Sequence, residues 1–397
     1  MKEKRAKVDF STWIGGNRWT ILVLIVAAVV FVLLRLWASP AAEEEQTATE
    51  YAVYEKGTVT AVLSDDTFSD PTADGGYRGE QLLQVEVTSG DYVGETLLVP
   101  NYVGPLYGEP VAVGDSVVLT ISVYEDGSHT ATVYEYHRFP VLLGCIIAFL
   151  VVAVLVGGKT GLKSLASLAV TLGCLFFILL PLLLKGMPTL PTVLLICVYI
   201  AVVGLTILGG IRKKSLCAMA GTIAGTCLAI VFSVLAQHLA RISGLRLDDV
   251  EPLLQLRQTG VPIGLKDLLT GGIIISALGA VMDVTMGVSS AIAEVHATDP
   301  VLTARDLFRS GMNVGRDMVG TMTNTLILAF LGSGFTLILY LFTLSLSPLQ
   351  LLNSAYFATE VISGLSCSIG VILSIPVTAG VCALAFGRKE NVVKEAP

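Results

Sequence analysis

The stretch SALGAVMDVTMGVSSAIAEV, from Ser276 to Val295, combines the apolar composition of a membrane helix with an aspartate near its middle. A charged side chain at the centre of a bilayer costs about 2.5–3.5 kcal/mol on insertion scales. A hydrogen bond between membrane helices is worth on average only about 0.6 kcal/mol, which does not offset that cost. The sequence therefore favours a functional role for Asp283 over a purely structural contact between helices.

Asp283 belongs to a series of small and polar residues that share one helix face. Their intervals alternate between four and three residues, which is the helical repeat. The series comprises Ser276, Ala280, Asp283, Gly287, Ser290 and Glu294. Glu294 lies near the expected membrane surface, where a charge costs little, so a solvated position is favoured for it.

The two apolar runs that follow carry further oxygen donors at helical spacing. Asp317, Thr321 and Asn324 are separated by four and three residues, and Glu360 lies in the last run. If these faces converge, they form an oxygen-rich path suited to protons or hard cations. The candidate path residues are Asp283, Ser290, Glu294, Arg316, Asp317, Thr321, Asn324 and Glu360.

A charged segment, HATDPVLTARDLFRSGMNVGRDMVG, connects the run around Asp283 to the next one. Arginines and aspartates alternate along it, which favours an amphipathic turn anchored at the lipid headgroups. In the alternative interpretation, Arg309 or Arg316 is the counter-ion of an approaching carboxylate or binds an anionic substrate.

Composition places the whole chain among integral membrane proteins. Of its 397 residues, 53% are hydrophobic and only 14% are charged, against about 25% charged in soluble domains. The mean hydropathy is +0.75. The lipid bilayer is therefore an expected partner, and the net charge of −7 sums over several compartments.

Runs of about 20 apolar residues predict about eight membrane spans. The expected organisation is a cytoplasmic N-terminus (residues 1–19), an anchor (20–38), an extracytoplasmic β-rich domain (39–138), a seven-helix membrane domain (139–386) and a cytoplasmic tail (387–397). Pro40 directly after a small-residue site favours an uncleaved anchor over a signal peptide.

In residues 39–138 the hydrophobic pattern changes to a period of two. Five short runs rich in Val, Thr and Tyr, separated by Gly-Asp turns, predict a small all-β domain that is OB-like or a small barrel. This domain lacks a basic patch and a set of stacking aromatics, so no nucleic acid partner is expected. A structural or partner-binding role is favoured over catalysis.

The positively charged short loops set the expected orientation. GGKTGLKS, RKKS and the tail GRKENVVK fall on one side, which the positive-inside rule assigns to the cytoplasm. The chain is thus expected to be a multi-pass cell-membrane protein with both termini cytoplasmic and residues 39–138 outside.

Motifs for enzyme chemistry are absent from the sequence. All seven cysteines fall in apolar runs, and no spacing of Cys and His suggests a metal site. The sequence contains no HExxH, G-x-S-x-G or P-loop motif. We expect no catalytic residues, no metal and no cofactor.

Three long segments resemble one family. ALGAVMDVTMGVSSAIAEV, LFRSGMNVGRDMVGTMTNTLILAFLGS and LLNSAYFATEVISGLSCSIGVILSIPVTA are similar to the YibE/F-like family of bacterial integral membrane proteins. The resemblance implies eight spans, an extracytoplasmic N-terminal domain and a role in transport, with no catalytic residues to carry over. Its motifs cover Asp283, Ser290 and Glu294 in one block. In the other block they cover Asn313, Arg316, Asp317, Thr321 and Asn324.

Two functions follow from these patterns. The first is a transporter of a small ion or solute, coupled to protons or a cation through intramembrane carboxylates such as Asp283. The alternative is a membrane platform without transport, whose external β-domain binds an envelope component or a protein partner. An intramembrane hydrolase is disfavoured, and the patterns specify neither a solute nor an oligomeric state.

Overall fold

The structure is a computed structural model that describes residues 10–38, 51–71, 76–105, 107–124, 127–242, 253–254, 257, 264–344 and 346–387. Four parts of the predicted organisation lie outside the described residues. They are residues 1–9 of the predicted N-terminal segment (1–19), residues 39–50 of the predicted β domain (39–138), most of the loop 243–263 and residues 388–397 of the predicted tail (387–397). The chain divides into a membrane unit (Met1–Pro40 with Val156–Pro397) and a β unit (Ala41–Leu155).

An antiparallel sheet forms the β unit, which confirms the predicted β domain. Its neighbouring strands run β2–β3–β1–β5–β6, and β4 pairs with β3. Period-two burial is clear in β5, where Val117, Leu119 and Ile121 are fully buried. The OB-like topology stays a prediction. The strands are β1 (Tyr51–Asp65), β2 (Phe68–Ser69), β3 (Tyr77–Val87), β4 (Thr96–Val103), β5 (Ser116–Val123) and β6 (His129–Tyr136).

Helices form the membrane unit, and the start of α2, up to Leu155, belongs to the β unit. A π-helical turn, Leu175–Leu179, joins α2 to α3. The helices are α1 (Phe10–Ala38), α2 (Phe139–Cys174), α3 (Leu180–Leu184), α4 (Thr189–Gly209), α5 (Lys213–Leu239), α6 (Leu265–Thr298), α7 (Ala304–Ser333), α8 (Phe335–Thr343), α9 (Pro348–Leu352) and α10 (Ala355–Phe386).

Five helical segments of the described chain are long and apolar enough to cross a membrane, and the bent pair α7–α8 raises the number to six. One of the five, Phe139–Leu184, contains 46 residues, which is about 69 Å of helix against a hydrocarbon core of about 30 Å. Gly158 interrupts it with a φ of 53°. Two predicted spans, 140–156 and 162–184, fall on this segment. The count of eight spans stays a prediction.

The charged segment that follows α6 is helical from Ala304 onward. Its residues form the first half of α7 instead of a separate turn. Thr303 begins this helix with a capping box, in which its side chain accepts from the N–H of Asp306 and the Asp306 carboxylate accepts from the N–H of Thr303. Such a cap satisfies two backbone donors at the helix start.

The closest helix contact in the membrane unit is an antiparallel seam between α5 and α10. A Cβ atom placed at Gly225 would lie 2.6 Å from the Cβ of Ser374 and 3.0 Å from the carbonyl oxygen of Gly370. One placed at Gly370 would lie 2.7 Å from the Cβ of Ala229. Small residues are needed here because backbones that approach this closely leave no room for side chains.

Substituting alanine at Gly225 tests the seam. Because the added methyl group overlaps Ser374, we expect Gly225→Ala to destabilise the membrane unit by about 1–3 kcal/mol. Gly279→Ala on α6 is the matched control, since nothing lies within 4 Å of its added Cβ. In both variants, helix propensity alone makes alanine more favourable than glycine by up to about 1 kcal/mol. Thermal unfolding of both variants in detergent measures the difference, and equal midpoints would contradict the seam.

A buried amide anchors the β unit. The Gln81 side chain accepts from the N–H of Val111 at 2.9 Å and from Nδ2 of Asn101 at 3.0 Å. Its own Nε2 donates to the Asp65 carboxylate at 3.1 Å. The pKa of Asp65 is lowered, first by the Thr67 hydroxyl, then by the Gln81 amide and the Thr67 N–H.

The lowered pKa of Asp65 predicts a loss of β-unit stability in acid. A carboxylate whose pKa falls on folding contributes stability above its unfolded pKa and loses it as the pH falls through its folded pKa. We expect the unfolding midpoint to decrease below about pH 4, and the decrease to be smaller in Asp65→Asn. Tyrosine near-UV circular dichroism reports it, because most of the 12 tyrosines lie in the β unit. An equal decrease in both proteins would exclude Asp65 as its source.

Candidate functional site

The predicted polar series on α6 occupies one face, which is exposed at its carboxylates and contacts α7 at Gly287. Ser276, Asp283 and Glu294 are exposed, and the residues between them in the series are half-buried. The opposite face, including Val284 and Ile292, is fully buried. Within the described residues, Asp283 and Glu294 therefore lie on the exposed side of α6, opposite its buried face.

Helix α7 lies antiparallel beside α6. A Cβ atom at Gly287 would lie 2.8 Å from Cε of Met318, and one at Gly311 would lie 2.5 Å from Cδ1 of Ile292. Continuing this register brings Asp283 level with Thr321. The polar residues of the two helices thus occupy similar depths.

The predicted residues of α7 are also exposed, namely Arg316, Asp317, Thr321 and Asn324. The Arg316 guanidinium donates to Oδ1 of Asn313 at 3.4 Å. In the part of the chain that the structure describes, no carboxylate lies within 4.0 Å of Arg316 or Arg309. The predicted counter-ion pairing is therefore not formed in this conformation.

Glu360 has a different environment, because it lines a cavity of about 380 Å³ between α6, α7, α8 and α10. The cavity lies near the first turns of α6 and α10, which the predicted orientation places at the external side. Hydroxyl groups share its wall with the carboxylate. The polar lining residues are Ser276, Ser333, Tyr356, Thr359, Glu360 and Ser363.

A broken helix forms one side of this cavity. Helices α7 and α8 meet at Gly334 with a bend of 59°. A Cβ atom at Gly334 would lie 3.4 Å from Cγ and 3.5 Å from Cδ of Glu360. The glycine thus lets the break approach the carboxyl group closely. Helix ends carry partial charges and unpaired backbone groups, which attract ions.

The structure therefore brings together two of the predicted features. Ser276, the first residue of the α6 series, and Glu360 line the same cavity. Asp283 lies seven residues further along α6, which is about 10 Å along the helix axis. Ser290 and Glu294 lie further still toward the predicted cytoplasmic end.

A buried polar line between α5 and α6 escaped the sequence analysis. Oγ1 of Thr222 lies 2.8 Å from Oγ1 of Thr285. Further along, Nε2 of Gln237 donates to Oγ of Ser233 at 2.8 Å and to Oγ1 of Thr270 at 3.0 Å. The signal was present in the spacing of four, seven and four residues that links Thr222, Thr226, Ser233 and Gln237.

Three buried side-chain oxygen atoms of α5 have no hydrogen-bond partner within the described residues. They are Oγ of Ser215, Oγ1 of Thr226 and Oε1 of Gln237. An unpaired buried polar atom costs about 1–3 kcal/mol. Because of this cost, polar groups are rare inside a bundle of membrane helices. Those that do occur are typical of functional paths.

The β unit contains a second, open cavity of about 520 Å³. Two exposed tyrosines, Tyr77 and Tyr107, lie on its wall beside Arg78 and Arg138. Arg78 pairs with Asp70, and Arg138 pairs with Glu135. Such a surface can hold a polar ligand that also presents an apolar face.

The described residues contain no group of three or more His, Cys, Asp or Glu side chains arranged to hold a metal ion. The expectation of no cofactor stays a prediction.

Comparison with known proteins identifies the family. No curated protein and no solved structure matches the chain. The model of the YibE/F-like protein family matches residues 145–388, which cover more than half of the chain and all the candidate residues of the membrane unit. The chain therefore belongs to the YibE/F-like protein family.

Proposed function

We propose that this protein carries a small ion or solute across the membrane, coupled to protons or a cation through carboxylates of its membrane helices. The observation that carries the proposal is Glu360 beside the helix break at Gly334, in a cavity lined by hydroxyl groups. Carriers commonly bind their ions where a membrane helix is interrupted, because the free helix ends supply charges and backbone ligands.

The chemistry of the cavity favours a small cation or a proton as the coupling ion. Carboxylate and hydroxyl oxygens are the ligands that hard cations prefer. The helix ends that meet at Gly334 supply partial charges and backbone groups that can add to this ligand set. A cavity of about 380 Å³ also has room for a small solute.

Asp283 is the second carboxylate of the proposed path. It lies about 10 Å below the cavity along α6, level with Thr321 on α7. An aspartate at this depth is costly unless water or a polar group reaches it. In the proposal, the ion leaves the cavity along this face, and Glu294 lies at its cytoplasmic end.

A second candidate function rests on the β unit. Its open cavity, with Tyr77 and Tyr107 on the wall, supports binding of an envelope component or a protein partner. In that case the helices serve as a platform, and the carboxylates of α6 and α10 are not needed.

Replacing Glu360 by glutamine tests the carrier proposal. Wild-type protein in liposomes that contain a pH-sensitive dye should move protons when a gradient of the transported ion or solute is imposed. We expect Glu360→Gln to slow this movement at least tenfold, since a glutamine neither releases a proton nor neutralises a cation. Asp299→Asn, in the exposed turn after α6, is the control and should behave as wild type. Equal rates in Glu360→Gln and wild type would contradict the proposal.

Replacing Asp283 by asparagine separates the two candidate functions. A ligand that binds only the folded protein stabilises it by about 2.7 kcal/mol at a hundredfold excess over its Kd. In the carrier, Asp283→Asn should fold normally and lose the shift that ions or pH produce in the thermal midpoint. Asp299→Asn, in the exposed turn after α6 and outside the proposed path, should retain it. A platform would show the same shifts in Asp283→Asn as in wild type.

A further inference from the structure

The seam between α5 and α10 places two cysteines opposite each other. Ala229 lies against Gly370, Gly225 against Ser374, and Gly221 against Thr378. Each layer is four residues further along each helix, in opposite directions. The next layer in this register consists of Cys217 and Cys382, so the two thiols face each other at the end of the seam.

Their side chains confirm this placement. Cys217 and Cys382 are both buried, with exposed fractions of 2% and 0%. Both belong to one buried cluster that also contains Val281 and Ile375. By contrast, Cys367 on the same helix donates to the carbonyl oxygen of Ile273 at 3.5 Å. The pair therefore consists of two buried thiols from different helices, at the same level of the seam.

A fixed positive charge lies one helical turn away. Lys213 precedes Cys217 by four residues on α5, and its Nζ donates to the carbonyl oxygen of Ala385 at 3.4 Å. The same ammonium group lies 5.8 Å from the centre of the Phe386 ring. These contacts hold it against the last turn of α10, close to Cys382.

We propose that Cys217 and Cys382 together bind one soft monovalent cation of the Cu(I) or Ag(I) type. Thiolates select such ions, and two opposed sulfur atoms match their preference for linear two-coordination. Both thiols lose their protons on binding, so two protons are released and the complex carries one negative charge. The Lys213 ammonium balances that charge.

The number of ligands excludes a structural zinc ion, which is the common alternative metal. A structural zinc ion takes four protein ligands, whereas no third His, Cys, Asp or Glu side chain completes such a set within the described residues. The site does not rest on the proposed transport function, because it joins α5 to α10 away from the cavity that contains Glu360. Metal binding at this site is expected to hold α5 and α10 together.

Titration of the full-length protein with Cu(I) tests the site. The protein is kept anaerobic in detergent, and bicinchoninate competes for the metal. We expect wild type to retain one equivalent and to unfold at a higher temperature with Cu(I) than without it. Cys217→Ser and Cys382→Ser should each bind at least tenfold more weakly. Cys367→Ser, which removes another buried thiol of α10, should bind as wild type.

X-ray absorption of the Cu(I)-loaded wild-type protein provides a measurement that does not depend on the folding of the variants. Two sulfur neighbours and no nitrogen neighbour are expected around the metal. Three sulfur neighbours, or unchanged binding in Cys217→Ser, would overturn the proposal. So would an equal loss in Cys367→Ser.

Discussion

The close approach of α5 and α10 is the constraint on which the membrane unit depends. In a bilayer the hydrophobic effect does not drive helices together, so their association relies on packing and on polar contacts. Gly225 and Gly370 allow the two backbones to meet, because a Cβ atom at either position would lie within about 3 Å of the other helix. The seam fixes α10, which carries Glu360 near one end and Cys382 near the other.

The other parts of the candidate site are positioned from this seam. Gly311 and Gly315 of α7 pack against Ala379 and Ile375 of α10. Helix α7 then ends at the break beside Glu360, where the bend to α8 opens the cavity. On the other side, α5 presents its polar line to α6, with Thr222 bonded to Thr285. Helix α6 thus presents Thr285 to α5 on its buried face and carries Asp283 on its exposed side.

The periodicity of the sequence predicted much of this structure. The features that it did not predict depend on contacts with other helices. The intervals around Asp283 predicted a helix with one polar face, and α6 has that face. The direction in which the face points depends on which helices cover Val284 and Ile292, and this information is absent from α6 itself. The period-two runs likewise predicted the β domain, because burial alternates along a strand.

Features with a weak local signal were missed. The seam depends on small residues four positions apart on two distant helices, such as Gly221 and Gly225 facing Thr378 and Ser374. Such residues contribute little to a hydrophobic pattern. The break at Gly334 lies inside the apolar sequence LGSGF, which also suits a continuous span. Residues such as Thr226 and Gln237 have helical spacing, but they carry no charge and so did not stand out beside the carboxylates.

Access of water to the cavity at the helix break tests the central claim most directly. Cysteine introduced by Ser276→Cys or Ser333→Cys, with the exposed Cys145 replaced, can be probed in intact cells with a membrane-impermeant maleimide. A water-filled cavity open to the outside predicts rapid labelling at both positions, and slower labelling in the presence of the transported solute. The absence of labelling at both positions, with Gly94→Cys in the β unit, which is predicted to be external, labelled as a positive control, would contradict the account.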